Sequence, residues 1–201
     1  MLKGKTAVVT GGTRGIGYAV VKKYLENGAQ VILFGSRKET VEKALQKLKE
    51  ENPDWPVEGA WLDLKDPEAV RAEIERIHQK YRRIDILVNN AGISDRVPTI
   101  DCDPAHFDEV IGLNVNAIFH AVQPVVKIMK EQGGGCILNT SSMVSKFGQP
   151  AGVAYPASKF AVNGLTISLA RELGPYQIRV NAVAPGVTRT DMVASLPEEI
   201  I

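Results

Sequence analysis

Short runs of β-branched and aliphatic residues alternate along the chain with longer amphipathic stretches. Six runs have the composition of buried strands, at residues 6–10, 30–34, 57–62, 84–89, 136–140 and 179–184. Nearly continuous apolar runs are typical of strands that are covered on both faces. Because helical stretches separate these runs, the pattern predicts βαβ crossovers and a parallel sheet.

The predicted helices cover residues 16–27, 39–52, 67–80, 107–131 and 155–173. Gly28 is a plausible C-cap residue for the first, and Asp66-Pro67 is a good start for the third. The fourth is long, and we expect a break near Asn114. We predict one α/β domain over residues 1–201, a doubly wound parallel sheet with helices on both faces. Ligands bind such a sheet beyond the carboxyl ends of its strands.

The amino-acid composition and the net charge exclude some classes of function. Hydrophobic residues make up 44% of the chain, which is typical of a packed core. There are 24 Lys and Arg against 23 Asp and Glu, a net charge of +1, so nothing favours nucleic acid or an anionic membrane. No apolar run reaches the ~18 residues of a membrane span, and the N-terminus lacks a signal-peptide layout. Two cysteines without ligand-like spacing indicate free thiols, and we expect a cytoplasmic protein.

A glycine-rich turn joins the first strand to the first helix. Glycine tolerates a left-handed backbone and lets a pyrophosphate approach closely, and the helix that follows directs free N–H groups at the phosphates. The turn therefore predicts a dinucleotide site, the Rossmann arrangement. Its candidate cofactor-binding residues are Gly11, Thr13, Arg14, Gly15, Ile16 and Gly17.

The end of the second strand bears on the choice of cofactor. A site for NAD usually has a carboxylate here to accept hydrogen bonds from the ribose hydroxyls. This chain has Ser36 and Arg37 instead, followed by Lys38, and Arg14 can approach from the glycine turn. A guanidinium pairs well with a 2′-phosphate, so NADP(H) is favoured over NAD(H). The alternative is that Arg37 and Lys38 are only the solvated start of a helix.

Tyr155 and Lys159 open the last predicted helix and share one of its faces, four residues apart. A lysine charge near a phenol favours the phenolate and lowers the pKa of the tyrosine, so that the phenol can exchange a proton with a carbonyl oxygen. Ser142 lies thirteen positions upstream at the end of a strand, where its hydroxyl could hold the substrate oxygen. Spacing favours Ser142 over Ser141.

Several motifs, taken together, match a known family. They are Thr10-Gly11-x-x-x-Gly15-x-Gly17, Asn89-Asn90-Ala91-Gly92, Tyr155-x-x-x-Lys159 and Pro185-Gly186, in this order. The sequence resembles the short-chain dehydrogenases/reductases from residue 5 to about residue 195. The resemblance implies an oxidoreductase that transfers a hydride between a nicotinamide cofactor and a carbonyl or secondary alcohol.

The resemblance also implies roles for the matching positions. Tyr155 would be the general acid/base, Ser142 would orient the carbonyl, and Lys159 would bind the nicotinamide ribose and tune Tyr155. Asn114 would hold a water in a proton relay to Lys159. Further cofactor contacts would come from Asp63 and Leu64 at the adenine, from Asn90, Ala91 and Gly92 beside the adenosine, and from Pro185, Gly186, Thr188 and Thr190 at the carboxamide and diphosphate.

Within the family, the sequence is similar to bacterial 3-oxoacyl-acyl-carrier-protein reductases and to bile-acid hydroxysteroid dehydrogenases. The similar bile-acid 3α enzymes have an acidic residue where Ser36 stands, so a preference for NAD is not expected here. Family members continue past Ile201 with a substrate-covering helix pair and a further strand, which we expect to be absent or incomplete. A homodimer or homotetramer is implied.

The three histidines have no second ligand at metal spacing, so no metal site is expected. A nucleotide-binding sensor or scaffold of the same fold, without turnover, is the alternative to an enzyme. A nucleic-acid binder of this fold lacks the basic excess that it would need.

Overall fold

A computed structural model describes residues 1–188, and six parallel strands form one sheet in that part of the chain. The strands are β1 (Thr6–Thr10), β2 (Gln30–Gly35), β3 (Val57–Trp61), β4 (Ile86–Asn89), β5 (Gly135–Thr140) and β6 (Ile178–Val183). Their order across the sheet is β3-β2-β1-β4-β5-β6. The order reverses direction between β1 and β4, which creates a crevice at the carboxyl ends of these two strands.

Seven α-helices connect or follow the strands within residues 1–188. They are α1 (Gly15–Glu26), α2 (Lys38–Glu51), α3 (Pro67–Tyr81), α4 (Pro104–Ile111), α5 (Ala117–Glu131), α6 (Val144–Phe147) and α7 (Ala154–Leu173). A π-helical turn, Gly112–Asn116, separates α4 from α5. The break expected near Asn114 is therefore present, and it contains Asn114 itself.

Alternate residues of the central strands face two hydrophobic layers. Ala7 and Val9 of β1 pack with buried residues of α1 and α2, including Val21 and Leu48. Val8, between them, packs with the layer formed by α3, α5 and α7. Both faces of β1 are therefore covered, as the continuous apolar run predicts, and the doubly wound fold with helices on both faces is confirmed.

Local chemistry explains where the helices begin and end. Asp66 precedes α3 and its carboxylate accepts hydrogen bonds from the backbone N–H groups of Glu68 and Ala69, at 3.0 and 3.2 Å. Pro67 occupies the first helical position, where its missing N–H costs nothing. After α1, Gly28 has φ +86°, the left-handed conformation that ends many helices.

Two surfaces differ from the sequence-based picture. Trp61, at the end of the apolar run that forms β3, is 53% exposed because β3 lies at the edge of the sheet. Along β6, only Ile178 and Val180 are buried, so one face of this strand is open in the described part of the chain. The rule that apolar runs are covered on both faces therefore holds for the central strands and not for the two edges.

Candidate active site

A cleft of about 200 Å³ opens at the carboxyl ends of β1, β4, β5 and β6. The glycine turn, the segment after β4 and the start of α7 all contribute to its walls. Most of the predicted site residues meet here. The lining residues are Gly11, Arg14, Gly15, Ile16, Asn90, Ala91, Gly92, Thr140, Ser141, Ser142, Tyr155, Lys159, Pro185, Gly186 and Thr188.

The turn between β1 and α1 requires glycine for steric reasons. Gly11 and Gly15 have φ values of +64° and +54°, which side chains disfavour. A Cβ on Gly17 would lie 2.1 Å from the carbonyl oxygen of Gly11, so the turn could not close around any other residue. The result is a tight bend that exposes the N-terminus of α1 to the cleft, an arrangement suited to phosphate groups.

Thr10 and Asn90 fasten the glycine turn to the end of β4. The Thr10 hydroxyl accepts hydrogen bonds from the backbone N–H groups of Asn90 and Ala91, at 3.0 and 3.1 Å. The Asn90 side-chain amide donates to the carbonyls of Thr10 and Gly11, at 3.3 and 3.2 Å. Asn90 therefore shapes the cleft wall, and the sequence-based reasoning did not assign Thr10 a part in it.

Tyr155 and Lys159 both face the cleft from the first turns of α7. The Lys159 ammonium lies 5.6 Å from the centre of the Tyr155 ring and donates a hydrogen bond to the backbone carbonyl of Thr140, at 2.8 Å. Lys159 is only 4% exposed, and this burial lowers its pKa to about 8. Thr140, whose carbonyl anchors the ammonium at the end of β5, was not among the predicted site residues.

The pKa of Tyr155 moves in the direction opposite to the sequence-based prediction. Burial raises it, and the neighbouring Ser142 hydroxyl opposes that rise. The prediction considered only the charge of Lys159 and not the loss of water around the phenol. The protein alone therefore keeps Tyr155 protonated at neutral pH, the state required of a general acid.

The structure separates the two candidate serines. Ser142 lines the cleft beside Tyr155. Ser141 also borders the cleft, but its hydroxyl is engaged in the protein interior, donating to Asn163 Oδ1 at 2.7 Å and lying 3.2 Å from Ser145 Oγ. Of the two hydroxyls, that of Ser142 is the one beside Tyr155 in the cleft.

Asn114 lies behind the cleft wall and is completely buried in the π-helical turn. Its Oδ1 accepts from the backbone N–H of Ile93 at 2.9 Å, and its Nδ2 donates to the carbonyl of Ile93 at 2.9 Å and to Ser158 Oγ at 3.0 Å. Both amide protons are therefore in use. A water beside Asn114 would have to donate to a remaining oxygen lone pair of this residue.

The predicted determinants of cofactor choice lie on the surface. Ser36, Arg37 and Arg14 are exposed, and neither guanidinium forms an ion pair within residues 1–188. Lys38 differs, because its ammonium lies 3.7 Å from a Glu42 oxygen and 5.6 Å from the centre of the Trp61 ring.

The remaining predicted residues divide between interior and surface. Leu64 is 8% exposed and packs in the core, while Asp63 is exposed and accepts a hydrogen bond from the backbone N–H of Lys65 at 2.9 Å. Thr13 lies behind the turn, where a Cβ on Gly35 would come within 2.7 Å of its methyl group. The structure brings none of these three into the cleft lining, and Thr190 lies outside the described residues.

The described part of the chain has neither a metal-ligand cluster nor a membrane-spanning helix. Among residues 1–188, no three His, Cys, Asp or Glu side chains cluster as metal ligands would. No helix in the same range has the length and apolar character that a bilayer crossing requires.

Comparison with known proteins places these features in a family. Residues 5–200 match the family model described as short chain dehydrogenase. A 3alpha-hydroxysteroid dehydrogenase of Mediterraneibacter gnavus is 62% identical over 201 residues, which cover 100% of this chain and 80% of the relative. The 3-oxoacyl-acyl-carrier-protein reductase FabG of Thermotoga maritima is 38% identical over 198 residues, covering 98% and 80% of the two chains.

A solved structure of the same family has a similar fold. A metagenomic short-chain oxidoreductase, solved in complex with NADP, superposes with a TM-score of 0.87 at 35% identity. The match covers 94% of this chain and 85% of that chain.

Proposed function

This chain belongs to the short-chain dehydrogenase family of NAD(P)-dependent oxidoreductases, and from that premise we propose that it interconverts a carbonyl and a secondary alcohol with NADP(H). The convergence of Ser142, Tyr155 and Lys159 on the cleft that also contains the glycine turn carries the proposal. These side chains come from two separate segments of the chain, and a packed core alone would not require them to meet.

The cleft has the donors that a nicotinamide dinucleotide needs. Gly11, Gly15 and the start of α1 would hold the pyrophosphate. Gly92 has no side chain, and a Cβ at this position would come within 2.9 Å of Asn114 Oδ1. Lys159 uses one of its three N–H groups on Thr140 within residues 1–188, which leaves two for ribose hydroxyls. When bound, the cofactor supplies or accepts the hydride.

The protein's own part in the reaction is to hold the substrate oxygen and move one proton. In the reductive direction, the Tyr155 phenol donates its proton to the carbonyl oxygen, and in the oxidative direction the phenolate takes a proton from the alcohol. Ser142 donates a hydrogen bond to the same oxygen and stabilises its developing negative charge. Asn114 Oδ1 and the Lys159 ammonium lie 2.9 and 3.7 Å from the point where a Cβ on Gly92 would be, and a water held beside them would relay a proton between Lys159 and solvent.

NADP(H) is favoured over NAD(H) because the segment after β2 has no carboxylate and has Arg37 exposed without an ion pair in the described chain. Arg14, at the rim of the cleft, adds a second cation beside the glycine turn. The complex of a 35% identical relative with NADP is compatible with this preference.

Two cysteines without disulfide bonds, Cys102 and Cys136, agree with the proposed cytoplasmic location.

For the substrate, we favour the 3-position of a hydroxysteroid or oxo-bile acid, since the 3alpha-hydroxysteroid dehydrogenase relative is 62% identical. A 3-oxoacyl thioester is the second candidate, supported by the 38% identical reductase. A homodimer or homotetramer remains part of the proposal through the resemblance to the family.

A panel assay tests the proposal directly. NADPH oxidation is followed with a 3-oxo bile acid, acetoacetyl-CoA and small ketones, for the wild-type protein and Tyr155→Phe. We expect turnover of at least one carbonyl and a loss of about 10²–10⁴-fold in the variant, the usual contribution of a general acid. NADPH binding without any difference in turnover between the two proteins would instead support a nucleotide-binding sensor or scaffold.

A further inference from the structure

A buried carboxylate lies beside the cleft and outside the proposed catalytic set. The Asp95 side chain is completely covered, and a buried charge is costly unless it is paired. Its Oδ1 accepts a hydrogen bond from the backbone N–H of Val97 and lies 2.9 Å from Nε2 of His106, near the start of α4. Its Oδ2 has no hydrogen-bond partner within residues 1–188. The Val97 N–H and the His106 ring are therefore the groups that compensate the charge of Asp95 at this oxygen.

Asp95 also contacts the loop that leads into α7. Its backbone carbonyl accepts a hydrogen bond from Gln149 Nε2 at 2.7 Å, and the same nitrogen donates to the carbonyl of Gly152 at 2.7 Å. The two backbones are in direct contact, since a Cβ on Gly152 would lie 2.6 Å from the carbonyl oxygen of Asp95. Gln149 thus joins the segment after β4 to the loop before Tyr155.

The charge of Asp95 acts on the first turn of α7 as well. Burial works to raise the pKa of Asp95, but the Val97 N–H, the His106 ring and the Ala154 N–H together hold it below the usual value. Ala154 is the first residue of α7, and Tyr155 is the second. An ionised carboxylate near the N-terminus of a helix stabilises that end of the helix.

The other end of this segment is fixed by Asn114, which bonds both the N–H and the carbonyl of Ile93. Residues 93–97 are therefore held by Asn114 at Ile93 and by the contacts of Asp95 at the other end. This segment follows Gly92 in the chain and contacts the loop that precedes Tyr155, and both Gly92 and Tyr155 line the cleft. We propose that Asp95, His106 and Gln149 form a clasp, which holds the segment after β4 against the start of α7 and so positions Tyr155 in the cleft. These three are positioning residues, and the inference rests on the proposed function.

Steady-state kinetics of His106 variants test the clasp. His106 is the accessible partner, with 32% of its side chain exposed, so its variants should fold. With NADPH and a 3-oxo bile acid, we expect His106→Ala to lower kcat/KM for the carbonyl about tenfold, the loss expected when a charged hydrogen bond is removed. The dissociation constant of NADPH should stay within about twofold, because the glycine turn is untouched.

Two comparison variants separate positioning from general stability. In His106→Gln, the amide can still donate to Asp95, so this variant should recover most of the lost kcat/KM. His78→Ala, on α3, removes a histidine that forms no side-chain hydrogen bond in the described chain and should resemble the wild type. The clasp is overturned if His106→Ala changes carbonyl turnover and NADPH affinity equally, or if His106→Gln is as impaired as His106→Ala.

A readout that needs no activity distinguishes this inference from the proposed function. Arg96 is exposed within the held segment, so trypsin cleavage between Arg96 and Val97 reports its opening. We expect His106→Ala to be cut there about tenfold faster than the wild type, His106→Gln and His78→Ala. If the wild type reduces no carbonyl, the proposed function fails, while equal cleavage rates of all four proteins would overturn the clasp itself.

Discussion

The ammonium of Lys159 donates a hydrogen bond to the carbonyl of Thr140 at 2.8 Å and, within residues 1–188, has no carboxylate partner. A cation at 4% exposure without a counter-ion is destabilising, and burial accordingly lowers its pKa from 10.5 to about 8. The protein keeps this charge although it weakens the fold. This is expected of a group that serves a ligand rather than the core.

We therefore predict that Lys159→Met stabilises the cofactor-free protein at pH 7 while it abolishes turnover. The pKa of Lys159 is about 10.5 in the unfolded chain and about 8 in the folded one. Between pH 8 and pH 10.5 the unfolded state binds more protons than the folded state, so the free energy of unfolding rises with pH. Over this whole range the rise due to Lys159 is at most about 3 kcal/mol. Below pH 8 the full penalty is present, and the methionine removes it.

The measurement is chemical denaturation of the cofactor-free protein at pH 7 and pH 9.5. The stability advantage of Lys159→Met over the wild type should be larger at pH 7 than at pH 9.5. Lys47→Met, which changes an exposed lysine of α2, controls for the general loss of one positive charge. A Lys159→Met protein that is less stable than the wild type at both pH values would show that the bond to Thr140 outweighs the cost of burial.

Adjacent serines should respond differently to the same substitution. Ser142→Ala is expected to reduce kcat about 10²-fold, as removal of an oxyanion donor does, with little change in Tm. Ser141→Ala removes the buried hydrogen bond to Asn163, which should lower the free energy of unfolding by about 1–3 kcal/mol. Kinetics and thermal melts of both variants decide the point, and the assignment would be reversed if Ser141→Ala had the larger effect on kcat.

The choice of cofactor should depend on Arg37 more than on its neighbour Lys38. Removal of a guanidinium that pairs with a phosphate is expected to weaken NADPH binding about 10–100-fold and to leave NADH binding nearly unchanged. Lys38→Ala is the matched control, because this ammonium is already near Glu42 and Trp61. Dissociation constants of both cofactors for Arg37→Ala test this, and equal losses for NADPH and NADH would refute the phosphate contact.

Much of this arrangement could be predicted from the sequence because it follows from local patterns. The central apolar runs have the composition and length of buried strands, and β1 and β5 begin and end within one residue of prediction. The helix break is predicted near Asn114 and occurs at Gly112–Asn116, although nothing in the sequence indicates that it is a π-helical turn. In the same way, Ser142, Tyr155 and Lys159 were placed by motif and spacing, and all three line one cleft.

What could not be predicted depends on contacts between distant segments. Thr140 contributes through a backbone carbonyl, which any residue type could supply, so the sequence gives no signal for it. Trp61 is exposed because β3 lies at the edge of the sheet, and strand order is not encoded in the strand's own composition. The raised pKa of Tyr155 reflects burial by residues far along the chain. Such effects require the assembled fold.

At the amino ends of the central strands, opposite the cleft, lies an ionic site for which we expect a purely structural effect. Asp85 is 9% exposed and receives hydrogen bonds from the backbone N–H of Thr6 at 2.9 Å, from Lys5 at 3.1 Å and from Arg83 at 2.7 Å. Burial works to raise the pKa of Asp85, but these three donors prevail and lower it to about 2. The carboxylate thereby ties the start of β1 to the start of β4.

We predict that Asp85→Asn lowers the free energy of unfolding by about 2 kcal/mol at pH 7, and that this difference disappears on acidification. Because the folded-state pKa of Asp85 is depressed, its contribution is complete above the unfolded value near 3.8 and is lost as the pH falls through about 2. Denaturation curves of both proteins at pH 7, 4 and 2 measure this, with the exposed Asp54→Asn as control. A difference that persists unchanged at pH 2 would show that the shape of the side chain, rather than its charge, holds the two strands together.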